Sequence, residues 1–534
     1  MKFEDKKAFV NGKIFTVDEI QPFAESVVIR GNKILFVGSN DDAKYFIDAS
    51  TEVINLYGKL MLPGFIDSHV HFIAGGFYLL GLDLRPAKSI GEFISILKDY
   101  VNSNKGKWIT GGNWNHQDWE TKSLPSKDTI DDFSADTPIF IYRMDGHLAL
   151  ANSLALKLAG ITKDTQNPDG GIIEKSPLTG EPTGILKDNA IQLISSIIPP
   201  PSREEYNKAG LSALEEAKRF GVTSIHDITL KNDFITYQNL NKDKKLTCRI
   251  YTRLPIADYK SLIDSGVLYD FGNERIKIGS LKAFSDGSLG AGTAWFFENY
   301  KDSKTNSGLP MDIVSNGNLE KWAIEADRYQ LQLSIHAIGD KANSYVLDLL
   351  EIIQKANPVW DRRFRVEHAQ HVRKIDIKRL ASLNAIVSAQ PYHSFDDGAW
   401  ADMKINEHQL QEAYSFKSFL EEGIKLCFGS DWTVAPINPL LGIYSAVTRQ
   451  TAGGKYKNGW IPEEKISVED SIKCYTINGA FASFEENIKG SIQAGKLADM
   501  VVLSDDILSI EPDKIKDVQV DMTIFDGEII YQKY

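Results

Sequence analysis

The clearest candidate for chemistry in the sequence is a pair of histidines at the end of an apolar segment. The segment Pro-Gly-Phe-Ile-Asp-Ser starts at residue 63 and continues into His69-Val70-His71. Side chains two residues apart on a β-strand point to the same face of a sheet. Both imidazoles can therefore reach one ion, and neutral imidazole is the commonest protein ligand for metals. Two exposed loop histidines are the alternative, which Asp67 and the strand-like context disfavour.

Three further residues of ligand type come at the ends of later apolar segments. They are His336 in Ser-Ile-His-Ala, His368 in Val-Glu-His-Ala, and Asp431 in Phe-Gly-Ser-Asp. Each of them alone is more often a hydrogen-bonded buried polar group than a ligand. In a barrel of parallel strands, however, the carboxyl ends of all strands open on one face, where active sites are built. Together with His69 and His71, these residues predict a metal centre on that face.

The elements that must position these side chains are short apolar segments that alternate with amphipathic helical stretches. This alternation is typical of β–α–β units, and hence of a parallel sheet or barrel. The eight candidate buried strands are residues 62–67, 222–227, 248–253, 278–284, 331–337, 364–369, 385–390 and 425–430. Eight strands are the number that closes a (β/α)8 TIM-like barrel, so the predicted fold class is α/β.

Segments outside the barrel strands predict two further folding units. Short strand and turn patterns at residues 1–58 and 486–534 predict a small β-sandwich domain formed from both termini, because a lone hairpin is marginal in water. Among them, Asn11-Gly12 between two apolar runs is a strong hairpin signal. The barrel then occupies residues 59–485. Its first two strands are too far apart for one connecting helix, so residues 75–203 or so predict a folded α+β insertion.

The composition excludes several classes of protein. The 534 residues include 60 Lys and Arg against 72 Asp and Glu, a formal net charge of −12, and the absence of a dense basic run argues against a nucleic-acid partner. No apolar stretch approaches the roughly 20 residues of a membrane span. Three well-separated cysteines exclude a thiolate-rich zinc site and fit a reducing compartment. We expect a cytoplasmic protein with a small-molecule substrate, and a homodimer stays open.

The motifs, taken in order, resemble the metal-dependent amidohydrolase superfamily. The match is closer to its amidohydrolase-3 branch, which includes N-substituted formamide deformylase-like proteins. The motifs are Pro-Gly-Phe-Ile-Asp-Ser-His-Val-His at 63–71, Arg-Met-Asp-Gly-His at 143–147, Lys-Ala-Phe-Ser-Asp-Gly-Ser-Leu-Gly at 282–290, His-Ala-Ile-Gly-Asp at 336–340, His368, and Gly-Ser-Asp ending at 431. The resemblance covers nearly the whole chain, including the split β domain and the insertion.

The resemblance implies a barrel that holds one or two divalent metal ions, usually Zn²⁺. His69 and His71 would bind the more buried ion. His336 and His368 would bind the second. Lys282 matches the position of a carboxylated lysine that bridges the two ions. A cationic ammonium beside two cations is disfavoured, whereas the neutral amine can capture carbon dioxide as an anionic carbamate with two oxygen ligands.

The expected activity is hydrolysis of a non-peptide carbon–nitrogen bond in an amide, formamide or cyclic amide. By the resemblance, metal-activated hydroxide attacks a carbonyl carbon. Asp431, also a metal ligand, would accept the proton of the attacking group and pass it to the leaving amine as general base and then acid. His147 would donate a hydrogen bond to the developing oxyanion or to substrate. For Lys282, the alternative to the carbamate is pairing with Asp286 or another carboxylate.

The metal ligands alone leave the reaction open. Ester hydrolysis, deamination and isomerisation can use the same centre. A regulatory barrel protein without catalysis is the alternative from another class, and the complete ligand set argues against it. Four residues are predicted to contact substrate or to hold the metal ligands in position. They are Asp286, Arg365, Trp114 and Trp295. For each tryptophan, packing within the protein is the alternative to a pocket wall.

Overall fold

Eight short apolar segments form a parallel sheet whose strand order follows the sequence. The computed structural model describes residues 6–144 and 147–533. The eight strands are Phe65–Val70, Val222–Ile228, Arg249–Pro255, Ile276–Phe284, Leu333–Ala337, Arg365–His368, Ile386–Ala389 and Leu426–Phe428. The amide of Asp431, beyond the eighth strand, donates to the carbonyl of His69 in the first at 2.7 Å, which brings the two edges together. The predicted TIM-like barrel is confirmed.

Helices alternate with these strands because apolar residues recur there with a helical period. In Asp340–Ala356, for example, Val346, Leu350 and Ile353 are buried, whereas Lys355 is exposed. Two helices, Phe72–Leu80 and Arg203–Arg219, lead into and out of the insertion. The other helices between Lys231 and Ala482 are Lys231–Lys242, Tyr259–Asp264, Asp312–Ser315, Asn318–Arg328, Lys374–Ser382, Pro391–Asp397, Glu407–Gln411, Phe416–Glu421, Pro439–Thr448, Val468–Cys474 and Ile477–Ala482.

Two further sheets carry strands from the ends of the chain. The first sheet has the order Lys33–Gly38, Ser26–Arg30, Lys6–Val10, Thr51–Asn55. The second has the order Glu528–Gln532, Val520–Phe525, Met500–Leu503, Leu60–Pro63, Lys13–Phe15, Phe23–Ala24. Side chains of both sheets, such as Phe9, Val27, Met61, Met500 and Ile524, share one buried cluster. Residues close to the two ends of the chain therefore fold together.

Two boundaries near the amino end differ from the sequence-based expectation. The hairpin predicted at Asn11-Gly12 is wrong, because the strands on either side of it belong to different sheets. Phe9 and Ile14 face the same buried cluster from the two sheets, so burial of apolar side chains overrides the local turn preference. The first barrel strand starts at Phe65 rather than residue 62, because Leu60–Pro63 pairs in the second terminal sheet.

The insertion, Phe77–Glu205, forms a separate unit with its own sheet. The strand order is Gly171–Lys175, Pro182–Asp188, Leu148–Ala151, Phe140–Arg143, Gly111–Trp114, Leu82–Asp83. Its helices are Ile90–Ser103, Ser153–Leu158 and Gln192–Ser195. Two buried clusters, one around Phe93 and Trp114 and one around Phe140 and Leu186, lie within this unit. The insertion therefore has a hydrophobic core of its own.

Candidate metal centre

The first and eighth barrel strands bring three ligand-type side chains together. His69 lies in the first strand, His71 directly follows it, and Asp431 follows the eighth. Asp431 Oδ1 is 3.4 Å from His71 Nε2 and 3.7 Å from His69 Nε2. Burial lowers the pKa of His69 to about 3, so its imidazole is neutral at pH 7. Neutral imidazoles that face a carboxylate are the donor set that Zn²⁺ and similar ions prefer.

The carboxylate of Asp67 fixes the approach of the eighth strand to the first. It accepts hydrogen bonds from the amide and the hydroxyl of Ser430, at 2.9 and 2.5 Å. A Cβ atom on Gly429 would lie 2.4 Å from His69 N and 2.8 Å from Asp67 Oδ1, so only glycine permits this approach. The sequence Gly-Ser-Asp therefore serves to seat Asp431 beside His69.

The backbone at two candidate ligands is in the left-handed region. His368 has φ 71° and Asp431 has φ 57°. Side-chain-bearing residues adopt this conformation in only a few per cent of cases, and it concentrates at functional sites where surrounding structure enforces it. Here it turns both side chains at the carboxyl ends of their strands. Both residues therefore turn the chain where their side chains face the candidate site.

A second group of ligating atoms comprises His368, His393 and Asp431, all within 4.8 Å of one another. His368 Nδ1 is 2.7 Å from Gln390 Oε1, which leaves its Nε2 for another partner. The ring centroids of His69 and His368 are 4.6 Å apart, so the two groups adjoin. Sequence reasoning missed His393 because it lies in the helix Pro391–Asp397, three residues beyond the predicted seventh strand.

His336 packs against this group but is turned differently. Its ring centroid is 4.4 Å from that of His368. Its Nε2, however, is 3.0 Å from the Gly287 carbonyl oxygen and 3.4 Å from Asp286 Oδ1. Its Nδ1 is buried and has no hydrogen-bond partner among the described residues. The structure thus brings His336 to the site without placing it in either ligating group.

Lys282 lies in the fourth strand and is buried without a polar partner. Among the described residues, nothing is hydrogen-bonded to its Nζ, which lies 4.3 Å from the centroid of the Phe284 ring. Burial lowers the pKa of Lys282 to about 7. The pairing with Asp286 does not form, because that carboxylate instead accepts the amides of Trp295, Ile338 and Gly339 at 2.8–3.0 Å.

A buried ion-pair network lies directly behind His69. Glu367 Oε2 is 2.5 Å from His69 Nδ1 and 2.7 Å from Arg253 Nη1, and Glu367 Oε1 is 2.8 Å from Arg365 Nε. Burial alone would raise the pKa of Glu367, but the two guanidinium groups and His69 hold it well below its usual range. Arg365 is fully buried and also bonds Ser68 O and His226. Arg365 therefore contacts Glu367, which in turn contacts His69.

Three further residues that the sequence predicted for the site belong to neither ligating group. Trp114 is fully buried in the insertion, and its indole N–H donates to the Ile141 carbonyl, so it is a core residue of that unit. His147 is exposed, and its Nδ1 is 2.9 Å from Asp188 Oδ1. Asp145 and Gly146, from the same motif, lie outside the described residues. Trp295 is half-buried, with the Lys341 ammonium 4.8 Å from its ring centroid.

Comparison with known proteins identifies the family. Residues 52–531 match the model of the amidohydrolase family. The chain belongs to the amidohydrolase family. Protein LONG AFTER FAR-RED 3 of Arabidopsis thaliana is 41% identical over 92% of this chain and 86% of that one. N-substituted formamide deformylase of Arthrobacter pascens is 26% identical over 98% of both chains.

A solved structure agrees with this placement. It is the crystal structure of an uncharacterized metal-dependent hydrolase from Pyrococcus horikoshii. The two chains superpose over 95% of this amidohydrolase and 99% of that hydrolase, with a TM-score of 0.79 and 28% sequence identity. In the described part of the chain, no helix has both the length and the apolarity that a membrane crossing needs.

Proposed function

We propose that this amidohydrolase is a metal-dependent hydrolase of a carbon–nitrogen bond in a non-peptide amide, formamide or cyclic amide. The observation that carries the proposal is the pair of ligating groups that share Asp431: His69 and His71 on one side, His368 and His393 on the other. The relative that is named as a formamide deformylase supports a carbon–nitrogen bond as the target.

The residues present fit one or two divalent ions. Buried ring nitrogens of His336 and His393 and the amine of Lys282 have no partners among the described residues, as expected of donors reserved for an ion or a substrate. The three cysteines are buried and belong to neither ligating group, so the donors are nitrogen and oxygen, a set that suits Zn²⁺. We propose His69 and His71 for one ion and His368 with His336 for the other.

We also propose that Lys282 is carboxylated and bridges the ions. A buried ammonium without a carboxylate partner is costly, and its lowered pKa favours the neutral amine. The nitrogen lone pair of the amine forms a bond to the carbon of carbon dioxide and loses a proton to solvent, which gives a carbamate. The carbamate would then offer two oxygen donors in place of a buried ammonium that has no carboxylate partner.

Asp431 is the group that we propose moves the proton. Bound divalent ions would lower the pKa of a coordinated water and polarise the scissile carbonyl. Burial opposes ionisation of Asp431, but the histidines around its carboxylate, including the hydrogen bond from His71, hold its pKa well below the usual range. The ionised carboxylate accepts the proton of the attacking water and delivers it to the leaving nitrogen.

A hydrolysis screen with metal analysis tests the proposal. N-formyl, N-acyl and cyclic amides, together with matched esters and amino-heterocycles, are offered to protein reconstituted with Zn²⁺. We expect release of amine from at least one amide, and loss of that activity after chelation. A protein that is fully active without metal rejects the metal site. Turnover confined to the esters or the amino-heterocycles rejects the carbon–nitrogen hydrolase in favour of an esterase or a deaminase.

A further inference from the structure

We propose that His393 is a metal ligand on the His368 side of the centre, in addition to the residues that the family motifs supply. The inference rests on the metal dependence in the proposed function and extends it to a residue outside those motifs. His393 lies beyond the seventh barrel strand, in the helix Pro391–Asp397. It belongs to none of the motifs at 63–71, 143–147, 282–290, 336–340, 368 and 429–431.

The position of the imidazole is the first argument. His393 Nε2 is 3.9 Å from Asp431 Oδ2, the oxygen opposite the one that faces His69 and His71. In a tetrahedral zinc site with bonds of about 2.0–2.1 Å, neighbouring ligand atoms are about 3.4 Å apart. A shift of about half an ångström therefore brings the pair into coordination geometry. Asp431 would then offer one oxygen to each group.

The second argument is the unused nitrogen. The side chain of His393 is 11% exposed, and its Nε2 has no hydrogen-bond partner among the described residues. A buried polar atom without a partner is costly unless a ligand or water completes it. Within the described part of the chain, no hydrogen bond to Nε2 explains why this nitrogen faces Asp431. A cation between His393 and Asp431 would explain it.

The third argument is a shared support. Gln390 Oε1 accepts a hydrogen bond from His368 Nδ1 at 2.7 Å, and Gln390 is also the residue that precedes the helix carrying His393. The two rings are nearly parallel, at 11°, with centroids 6.3 Å apart. One short segment thus orients both imidazoles toward Asp431. His336 directs its Nε2 to the Gly287 carbonyl oxygen, and its Nδ1 has no partner among the described residues, so His393 would join it as a further ligand.

Metal binding to His393→Asn tests the assignment. The matched control is His371→Asn. His371 is also buried, and its Nε2 has no partner among the described residues, but its Nδ1 is 3.3 Å from Gln409 O and it belongs to neither ligating group. Full-length metal-free proteins are titrated with Zn²⁺ at buffered free concentrations, and bound equivalents are counted. The visible absorption of the Co²⁺ forms reports the coordination number.

We expect half-saturation of one equivalent to need at least about tenfold more free Zn²⁺ in His393→Asn. The Co²⁺ spectrum should change in that variant and stay unchanged in His371→Asn. We expect the same weaker zinc binding and the same spectral change in His393→Gln, which replaces the asparagine variant if that variant does not fold. A folded variant with the wild-type titration and spectrum overturns the inference alone. A wild-type chain that binds no metal rejects the proposed function itself.

Discussion

Glu367 Oε2 lies 2.5 Å from Nδ1 of His69, and both side chains are fully buried. The carboxylate is ionised, because Arg365 and Arg253 hold its pKa low against the effect of burial. It therefore accepts the Nδ1 proton of His69, and the lone pair of that imidazole is left on Nε2, the atom that faces Asp431. A carboxylate behind a metal-binding histidine fixes the tautomer and raises the basicity of the ligand.

Glu367→Gln should weaken metal binding by about 10–100-fold, since a neutral amide cannot fix the same tautomer as strongly. It should also lower stability, because Arg253 and Arg365 lose their buried counter-charge. Zinc titration and thermal unfolding measure the two effects. Glu486→Gln, which removes one of the two carboxylate partners of Arg363 outside the site, is the control and should leave zinc affinity unchanged. Wild-type affinity in Glu367→Gln would remove the supporting role.

Asp431→Asn should keep the fold and slow hydrolysis by about 10²–10⁴-fold, because an amide cannot accept the proton of the attacking water. Turnover is compared at saturating Zn²⁺, so that a weaker affinity for zinc after the loss of the Asp431 ligand does not lower the metal content. Asp302→Asn, which changes an exposed ion pair with Lys404, is the control. Unchanged turnover with full metal content would reject Asp431 as the proton acceptor.

Lys282→Ala should lose activity and bound metal together, and short-chain carboxylates should restore part of both by replacing the carbamate. In the wild-type chain, ¹³C-bicarbonate should label one lysine carbamate when metal is added at pH 8. Because burial lowers the pKa of Lys282 to about 7, most of the amine is protonated and unreactive at pH 5.5, so labelling should fail there. Lys282→Ala is the control for the NMR signal. A signal that persists in this variant assigns the carbamate to another lysine.

Gly429→Ala should destabilise the fold by about 1–3 kcal/mol, the cost of overpacking a filled site. The added Cβ would meet His69 N and the carboxylate of Asp67, where the first and eighth strands approach. Zinc affinity should fall as well, since Asp431 is displaced from His69. Gly91→Ala is the matched control, because its Cβ would meet only Ser89 Oγ at 3.8 Å in a helix. Equal unfolding midpoints for the two variants would contradict this explanation.

The sequence by itself determined the barrel strands and the majority of the candidate site. Apolar segments of four to eight residues between amphipathic stretches are a local signal, so all eight strands lie where the pattern predicts, with differences of a few residues at their ends. His69, His71, His368 and Asp431 are also found from the sequence, because each stands at the carboxyl end of such a strand and barrel geometry gathers those ends.

Only the tertiary structure decided which side chains meet. Asn11-Gly12 looks like a hairpin locally, but burial of Phe9 and Ile14 in one cluster separates its strands into two sheets. Arg365 is enclosed behind the site by Glu367, and His393 reaches Asp431 from a helix rather than a strand end. Sequence periodicity specifies which face of an element is apolar. The distance between residues far apart in the chain depends on how the elements pack, and that information is not local.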